Sequence, residues 1–163
     1  MKKKYLFILT IAAFSFGINS CTKSSVDENN CVSNNTGVPT AAEVASLQAY
    51  ITANSLTATL HPDGFFYRIV APGSGPTPSL ASTVTFKYTG KLTDNTVFDQ
   101  STTGITFPLN QLILGFRKGL PLIQKGGSII LYIPPSLGYG CQSLSGIPPG
   151  SNLIFSVDLT DVQ

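Results

Sequence analysis

From Thr83 to Gly90 the chain reads TVTFKYTG, and no other stretch narrows the fold so much. Val84, Phe86 and Tyr88 alternate with Thr85, Lys87 and Thr89. Successive side chains of a strand point to opposite faces, so this segment is predicted to be an antiparallel strand with one face buried. The same period returns over residues 152–161, where Leu153, Phe155, Val157 and Leu159 share one face. Ser128 to Ile133 is an apolar strand stopped by Pro134 and Pro135, which cannot donate to a ladder. Gly64 to Val70 reads as a further strand, Val97-Phe98 re-enters the sheet, and Thr106 to Leu109 is extended. His61-Pro62-Asp63-Gly64, the loop Ala71 to Pro78, Thr93 to Asn95 and Lys125-Gly126-Gly127 supply the breaks. Charged residues are only 11% of the chain, and β-branched and aromatic residues are plentiful. A β-rich globular domain follows.

Two helices interrupt the strands. Thr40 and Glu43 match a capping box, and Val44, Leu47, Tyr50 and Ile51 fall on one helical face that ends near Asn54 and Ser55. Arg117 to Gln124 gives one or two turns, with Pro121 tolerated only near a first turn. The expected architecture is α+β: a twisted antiparallel β-sheet wrapped on a short α-helix, with an N-terminal helical extension.

Residues 1–20 do not read as part of that fold. Lys2, Lys3 and Lys4 precede an apolar run from Tyr5 to Phe16, and GINSC follows. This is the order of a secretory signal, and the run is shorter than a membrane-spanning helix requires. Ile18-Asn19-Ser20-Cys21 resembles a bacterial lipobox, with Asn19 a departure from its pattern. Cleavage there makes Cys21 a lipidated N-terminus that anchors an extracytoplasmic protein to a bacterial membrane, foremost the outer membrane. The other outcome is ordinary cleavage and a secreted protein. Stable anchoring takes more than one acyl chain. Three of the ten basic residues lie in this leader, leaving seven against eight acidic ones, a net charge of −1. No basic patch remains to support nucleic-acid binding.

Cys31 and Cys141 are the two cysteines beyond Cys21. Outside the cytoplasm they either form a disulfide or stay as two thiols. A bond would close a loop of over a hundred residues, a constraint of roughly 4–5 kcal/mol in the chain-entropy model. His61 is the sole histidine and reads as a solvated turn residue. One His and two separated Cys make no metal site.

The runs VTFKYTGKLTDNTVFD, FPLNQLILGFRKGLPLIQKGGSIILYIPPSLGYG and GIPPGSNLIFSVDLTDV stand in order between Thr83 and Val162. In order and spacing they resemble FKBP-type peptidyl-prolyl cis-trans isomerases. GFFYRIVAPGSG resembles the lead-in of extracytoplasmic bacterial members. Residues 22–38 are polar, with Ser and Asn clusters, and read as a flexible tether. The expected division is thus a leader at 1–20, a tether at 21–38, a helix, strand and loop at 39–78, and, as the resemblance implies, the isomerase domain at 79–163.

It also implies a proline pocket. Tyr88 and Phe98 become walls, Asp99 the polar residue beside them, and Leu112 and Ile113 the cavity lining. The Ile113 N–H is the expected donor to a substrate carbonyl. Phe116 takes the floor, Tyr139 the rim, Ile147 the loop wall and Phe155 the back. Phe107 is a further aromatic wall, while Phe86 reads as core. The rim loop begins at Pro134-Pro135 and ends at Pro148-Pro149, with Tyr139 between Gly138 and Gly140.

Such a pocket needs no nucleophile, metal or cofactor. Its partners are proline-containing unfolded or extracytoplasmic proteins, with macrolides as possible ligands and a membrane reached through Cys21. Asp99 is expected to orient Tyr88 or another pocket hydroxyl. Four features depart from the family pattern: Phe116 where most members carry Trp, Asn95 at a turn position where Gly is common, an extra residue in FDQS, and Cys141 directly after Gly140. A non-catalytic proline-peptide binding module or chaperone, and a structural envelope lipoprotein, are the rival functions on one fold.

Overall fold

The computed structural model describes residues 37–163. The expected leader, Cys21, Cys31 and most of the expected tether lie outside the described residues.

Helix α1 spans Ala41–Ala53. Thr40 caps it as its spelling predicts: the Glu43 N–H donates to Thr40 Oγ1 and the Thr40 N–H to Glu43 Oε2. The strands are β1 (Thr59–Leu60), β2 (Phe66–Ala71), β3 (Thr83–Lys91), β4 (Val97–Pro108), β5 (Ser128–Ile133) and β6 (Leu153–Val162). All pair antiparallel in one six-stranded sheet of order β1-β2-β5-β6-β3-β4. β5 starts after Gly126-Gly127 and stops at Pro134, and β6 starts just after Pro148-Pro149-Gly150. β2 pairs with β5, so the sheet draws strands from both sides of the boundary expected at residue 79.

Three elements differ from expectation. Val97-Phe98 and Thr106 to Pro108 belong to one long strand, β4, whose pairing with β3 slips between Tyr88↔Ser101 and Phe86↔Ile105, while Leu109 already opens a 3-10 turn. Thr102, Thr103 and Gly104 form the irregularity, just beyond the extra residue in FDQS. Helix α2 begins earlier than Arg117, at Leu114, and ends at Gly119. Pro121 then sits in a 3-10 turn over Leu120–Leu122, where its missing N–H breaks no α-helical bond. His61 is half-buried instead of solvated: its ring stacks on Phe65 at 4.4 Å, and its Nδ1 accepts the Asp63 N–H.

The sheet is covered on both faces. Ile129, Leu131, Ile133, Leu153, Phe155, Val157 and Leu159 point to the side of Phe116 and Leu120, forming the main core. Tyr132, Ile130 and Ile154 alternate to the other side and meet Leu47 and Ile51 of α1, with Phe66. Burying each such side chain contributes about 1.5–3 kcal/mol. The N-terminal helix is therefore a packed layer of the domain.

Candidate active site

Between β3, β4, α2 and the loop after β5 lies a cavity of about 90 Å³, lined by Phe86, Tyr88, Asp99, Ile105, Leu112, Ile113, Phe116, Tyr139 and Phe155. Sites for whole drug-sized ligands run to roughly 300–1,000 Å³. A cavity this small takes one ring of a peptide and leaves its neighbours at the surface.

Phe116 and Phe155 make the base. Both are buried and meet edge to face at 4.8 Å and 86°. Phe86 tilts against Phe116 at 5.5 Å, and Tyr88 against Phe155 at 6.1 Å. Offset and edge-to-face contacts of this kind contribute about 0.5–1.5 kcal/mol each beyond area burial. Phe98 stands one ring further out, edge-on to Phe155 at 5.5 Å. The position between them must be glycine: a Cβ on Gly90 would lie 2.7 Å from Phe98 and 2.8 Å from Phe155.

The polar groups sit at one side. Tyr88 Oη donates to Asp99 Oδ2 at 2.5 Å, and the Gln100 N–H donates to Asp99 Oδ1 at 2.8 Å. The Asp99 carboxylate thus orients a pocket hydroxyl and ties down its own backbone at once. Burial, then the hydrogen bond to Asp99 and the charge of that carboxylate, pushes the Tyr88 phenol well up. Burial and then Asp99 also raise Tyr139. Both stay protonated as donors at neutral pH. Leu112 and Ile113 precede α2; the Ile113 N–H has no acceptor among the described residues.

Tyr139 is carried by a braced loop. After Pro134 a 3-10 turn spans Pro135–Leu137, and the N–H groups of Gly138 and Gly140 both donate to Pro135 O at 2.9 Å. Gly140 has φ +58°, a left-handed turn that favours glycine. The Gly150 N–H donates to Gly140 O at 2.9 Å, closing the neck of the following loop. Within it Leu144 and Ile147 bridge, and Ile147 is buried. Cys141 is disulfide-bonded; Cys31, its expected partner, lies outside the described residues.

Of the residues singled out in the sequence, Tyr88, Asp99, Leu112, Ile113, Phe116, Tyr139 and Phe155 line the cavity. Phe98 and Ile147 back it from outside the lining. Phe107 is 43% exposed and stands outside. Ile105, two residues earlier on the same face, takes the wall because it pairs with Phe86. Phe86 serves as core and lining together. Glu43 went unnoticed in the sequence as a partner of the rim: its carboxylate accepts the Ser136 N–H and hydroxyl. Among the described residues no cluster of His, Cys, Asp and Glu is arranged to hold a metal ion. No described helix is long and apolar enough to cross a membrane.

Residues 75–160 match the model of the family described as FKBP-type peptidyl-prolyl cis-trans isomerase. FkpA of Escherichia coli, an FKBP-type peptidyl-prolyl cis-trans isomerase, is 44% identical over 103 residues, covering 61% of this chain and 38% of FkpA. The FkpA crystal structure superposes with a TM-score of 0.68 over 76% of this chain and 60% of that one, at 38% identity. The outer membrane protein MIP of Legionella longbeachae is 38% identical over 106 residues, 63% of this chain and 46% of that protein. A peptidyl-prolyl cis-trans isomerase from Pseudomonas syringae superposes with a TM-score of 0.66 at 29% identity, over 77% of this chain and 97% of that one. The chain spans less than half the length of the curated FkpA and MIP sequences.

Proposed function

The chain belongs to the FKBP-type peptidyl-prolyl cis-trans isomerase family, and from that premise we propose that it catalyses rotation of X–Pro bonds in proteins outside the cytoplasm. One observation carries the reading: an aromatic cavity of one-ring size has an unpaired backbone N–H and two protonated tyrosines in its wall.

An X–Pro bond isomerises through a twisted state in which amide resonance is lost, against a barrier of ~18–20 kcal/mol for an amide. The twisted amide is less charge-separated than the planar ones. A dry aromatic cavity therefore favours it over water. The proline ring enters between Tyr88, Phe116 and Phe155, and the Ile113 N–H and Tyr139 hydroxyl hold flanking carbonyls in register. Asp99 acts through Tyr88 and moves no proton. Catalysis is differential binding of the twisted state, and a thousandfold acceleration asks for ~4 kcal/mol. Uncatalysed isomerisation takes tens to hundreds of seconds and limits folding, so proline-containing clients benefit. Macrolides that present a ring and carbonyls to the same groups are further ligands of this reading.

The compartment follows the same premise. The basic start, apolar run and Cys21 support a lipid-anchored protein outside the cytoplasm, and the Legionella relative is named an outer membrane protein. A Cys31–Cys141 pair fits that oxidising setting. In this organisation residues 21–38 are the tether between anchor and domain.

The test is protease-free X–Pro isomerisation by the full chain in detergent, beside Tyr139→Ala and Phe98→Ala. Acceleration that drops in both folded variants supports the isomerase. A folded wild type without acceleration that still retains proline peptides supports the binding module instead.

A further inference from the structure

The Leu112–Ile113 peptide joins a 3-10 turn over Leu109–Gln111 to the start of α2. Leu112 is extended, with φ −80° and ψ 166°, and Ile113 follows with φ −58° and ψ 154°. On the turn side the Leu112 N–H donates to Leu109 O, and on the helix side Ile113 O accepts from the Phe116 and Arg117 N–H groups. No ladder bond holds the peptide between them. A peptide so placed can rock about its two flanking Cα atoms, changing the aim of its N–H while the chain around it stays still.

One side chain holds it. Arg117, in the last turn of the short α2, turns back and donates from Nε to Leu112 O at 2.7 Å. All described peptides are trans, so the Leu112 carbonyl and the Ile113 N–H lie in one plane and point opposite ways. Fixing the carbonyl fixes the N–H. A cationic donor on the carbonyl also draws charge through the amide and strengthens the N–H on its far side. The adjacent cation is engaged elsewhere: Lys118 Nζ pairs with Asp63 Oδ2 at 2.9 Å.

We propose that Arg117 is a positioning residue of this pocket: through the Leu112 carbonyl it aims and strengthens the Ile113 N–H that receives the substrate carbonyl. The guanidinium suits the task because it is planar, permanently charged and weakly hydrated. The inference rests on the isomerase reading for its kinetic consequence and on the geometry alone for its effect on the amide.

The full chain, Arg117→Met, Arg117→Lys and Lys118→Met are compared by two readouts. The first is the ¹H–¹⁵N resonance of Ile113 without substrate and during titration with succinyl-Ala-Leu-Pro-Phe-4-nitroanilide. The second is kcat and KM for that peptide. In Arg117→Met the Ile113 proton moves upfield, the peptide binds more weakly, and kcat/KM falls about tenfold, mostly through KM, because the carbonyl is held in planar and twisted states alike. Arg117→Lys recovers part of both losses, and Lys118→Met changes neither. If Arg117→Met does not fold, Arg117→Lys is read against wild type in the same two ways. An Ile113 resonance that stays put in a folded Arg117 variant, or that moves with peptide binding unchanged, overturns the proposal. A wild type that binds the peptide without accelerating its isomerisation overturns the isomerase reading alone, and the Ile113 resonance and peptide affinity then decide the role of Arg117.

Discussion

Glu43 of α1 holds Ser136, 93 residues away and three before Tyr139, by its backbone N–H at 2.9 Å and its hydroxyl at 2.7 Å. The same carboxylate caps its own helix. The layer behind the sheet thus reaches around to the base of the rim loop. Glu43→Ala removes cap and brace together and is expected to cost about 2 kcal/mol in urea unfolding, whereas Thr40→Ala, which keeps the brace, costs about 1 kcal/mol. Equal losses from the two variants would show that the brace contributes nothing.

The acid limb of stability follows from the same group. Burial pushes the Glu43 carboxyl up, but hydrogen bonds from Thr40 and Ser136 outweigh it, and its pKa lies below the ordinary glutamate value. The native state therefore binds this proton less readily than the unfolded chain. Its stabilisation is full above the ordinary carboxylate range and is lost as pH falls through the lowered native value. Urea titrations of wild type should weaken over that acid window, and Glu43→Gln should flatten the slope. Asp161, drawn down to about 2 chiefly by Lys125, is solvent-exposed, and salt screens its share.

No proton moves in the proposed reaction, and both pocket tyrosines have raised pKa values. The profile of kcat/KM is expected to be flat from about pH 6 to 9, without the bell shape of general acid–base catalysis. Asp99→Asn should keep activity within about tenfold of wild type, since Asn still accepts from Tyr88. A folded Asp99→Asn with no activity would refute an orienting role.

Gly90 lies where Phe98 and Phe155 close on the backbone. Gly90→Ala is expected to lower stability by about 1–3 kcal/mol, the range for overpacking, and to reduce kcat/KM because Phe155 must shift. Thermal unfolding and the peptide assay read the two effects separately.

The chain contains no tryptophan. Phe116→Trp therefore introduces a lone fluorophore at the cavity base. Emission should be blue-shifted, as for a buried indole, and should change on adding a proline peptide. Its larger face is expected to tighten binding severalfold, by about 1 kcal/mol. Weaker binding would mean that Phe116 is already the best-fitting floor.

Most of the sheet was legible because β3, β5 and β6 obey strict chemical punctuation. Val84, Phe86 and Tyr88 alternate, Pro134 stops β5, and Leu153 to Leu159 alternate again. β4 was read as two pieces because an edge strand needs no continuous apolar face, and FDQSTTGITFP shows none. The early start of α2 was hidden by Leu112, Ile113 and Leu114, three apolar residues without a polar cap. The cavity residues came from the ordered resemblance of three motifs. Ile105 was missed in favour of Phe107 because the irregularity at Gly104 sets which of them faces Phe86. Glu43 with Ser136, and Arg117 with the Leu112 carbonyl, are tertiary pairings to which propensity and periodicity are blind.

The hydrogen bond from Gly150 to Gly140 separates two jobs that a single loop would otherwise share. The turn that carries Tyr139 is fixed on the near side of that neck, with one bond from beyond it, the Gln142 N–H to Tyr139 O, while Ser143 to Gly146 are exposed. Lengthening a closed loop costs only about 0.6 kcal/mol per doubling. An insertion at Ser143, outside the turn that Leu144 and Ile147 close, is thus nearly neutral to the fold and leaves the rim tyrosine in place. The region gives this scaffold a place to try new client contacts by changes in length as well as by substitution, so selection can alter what reaches the pocket without first rebuilding it.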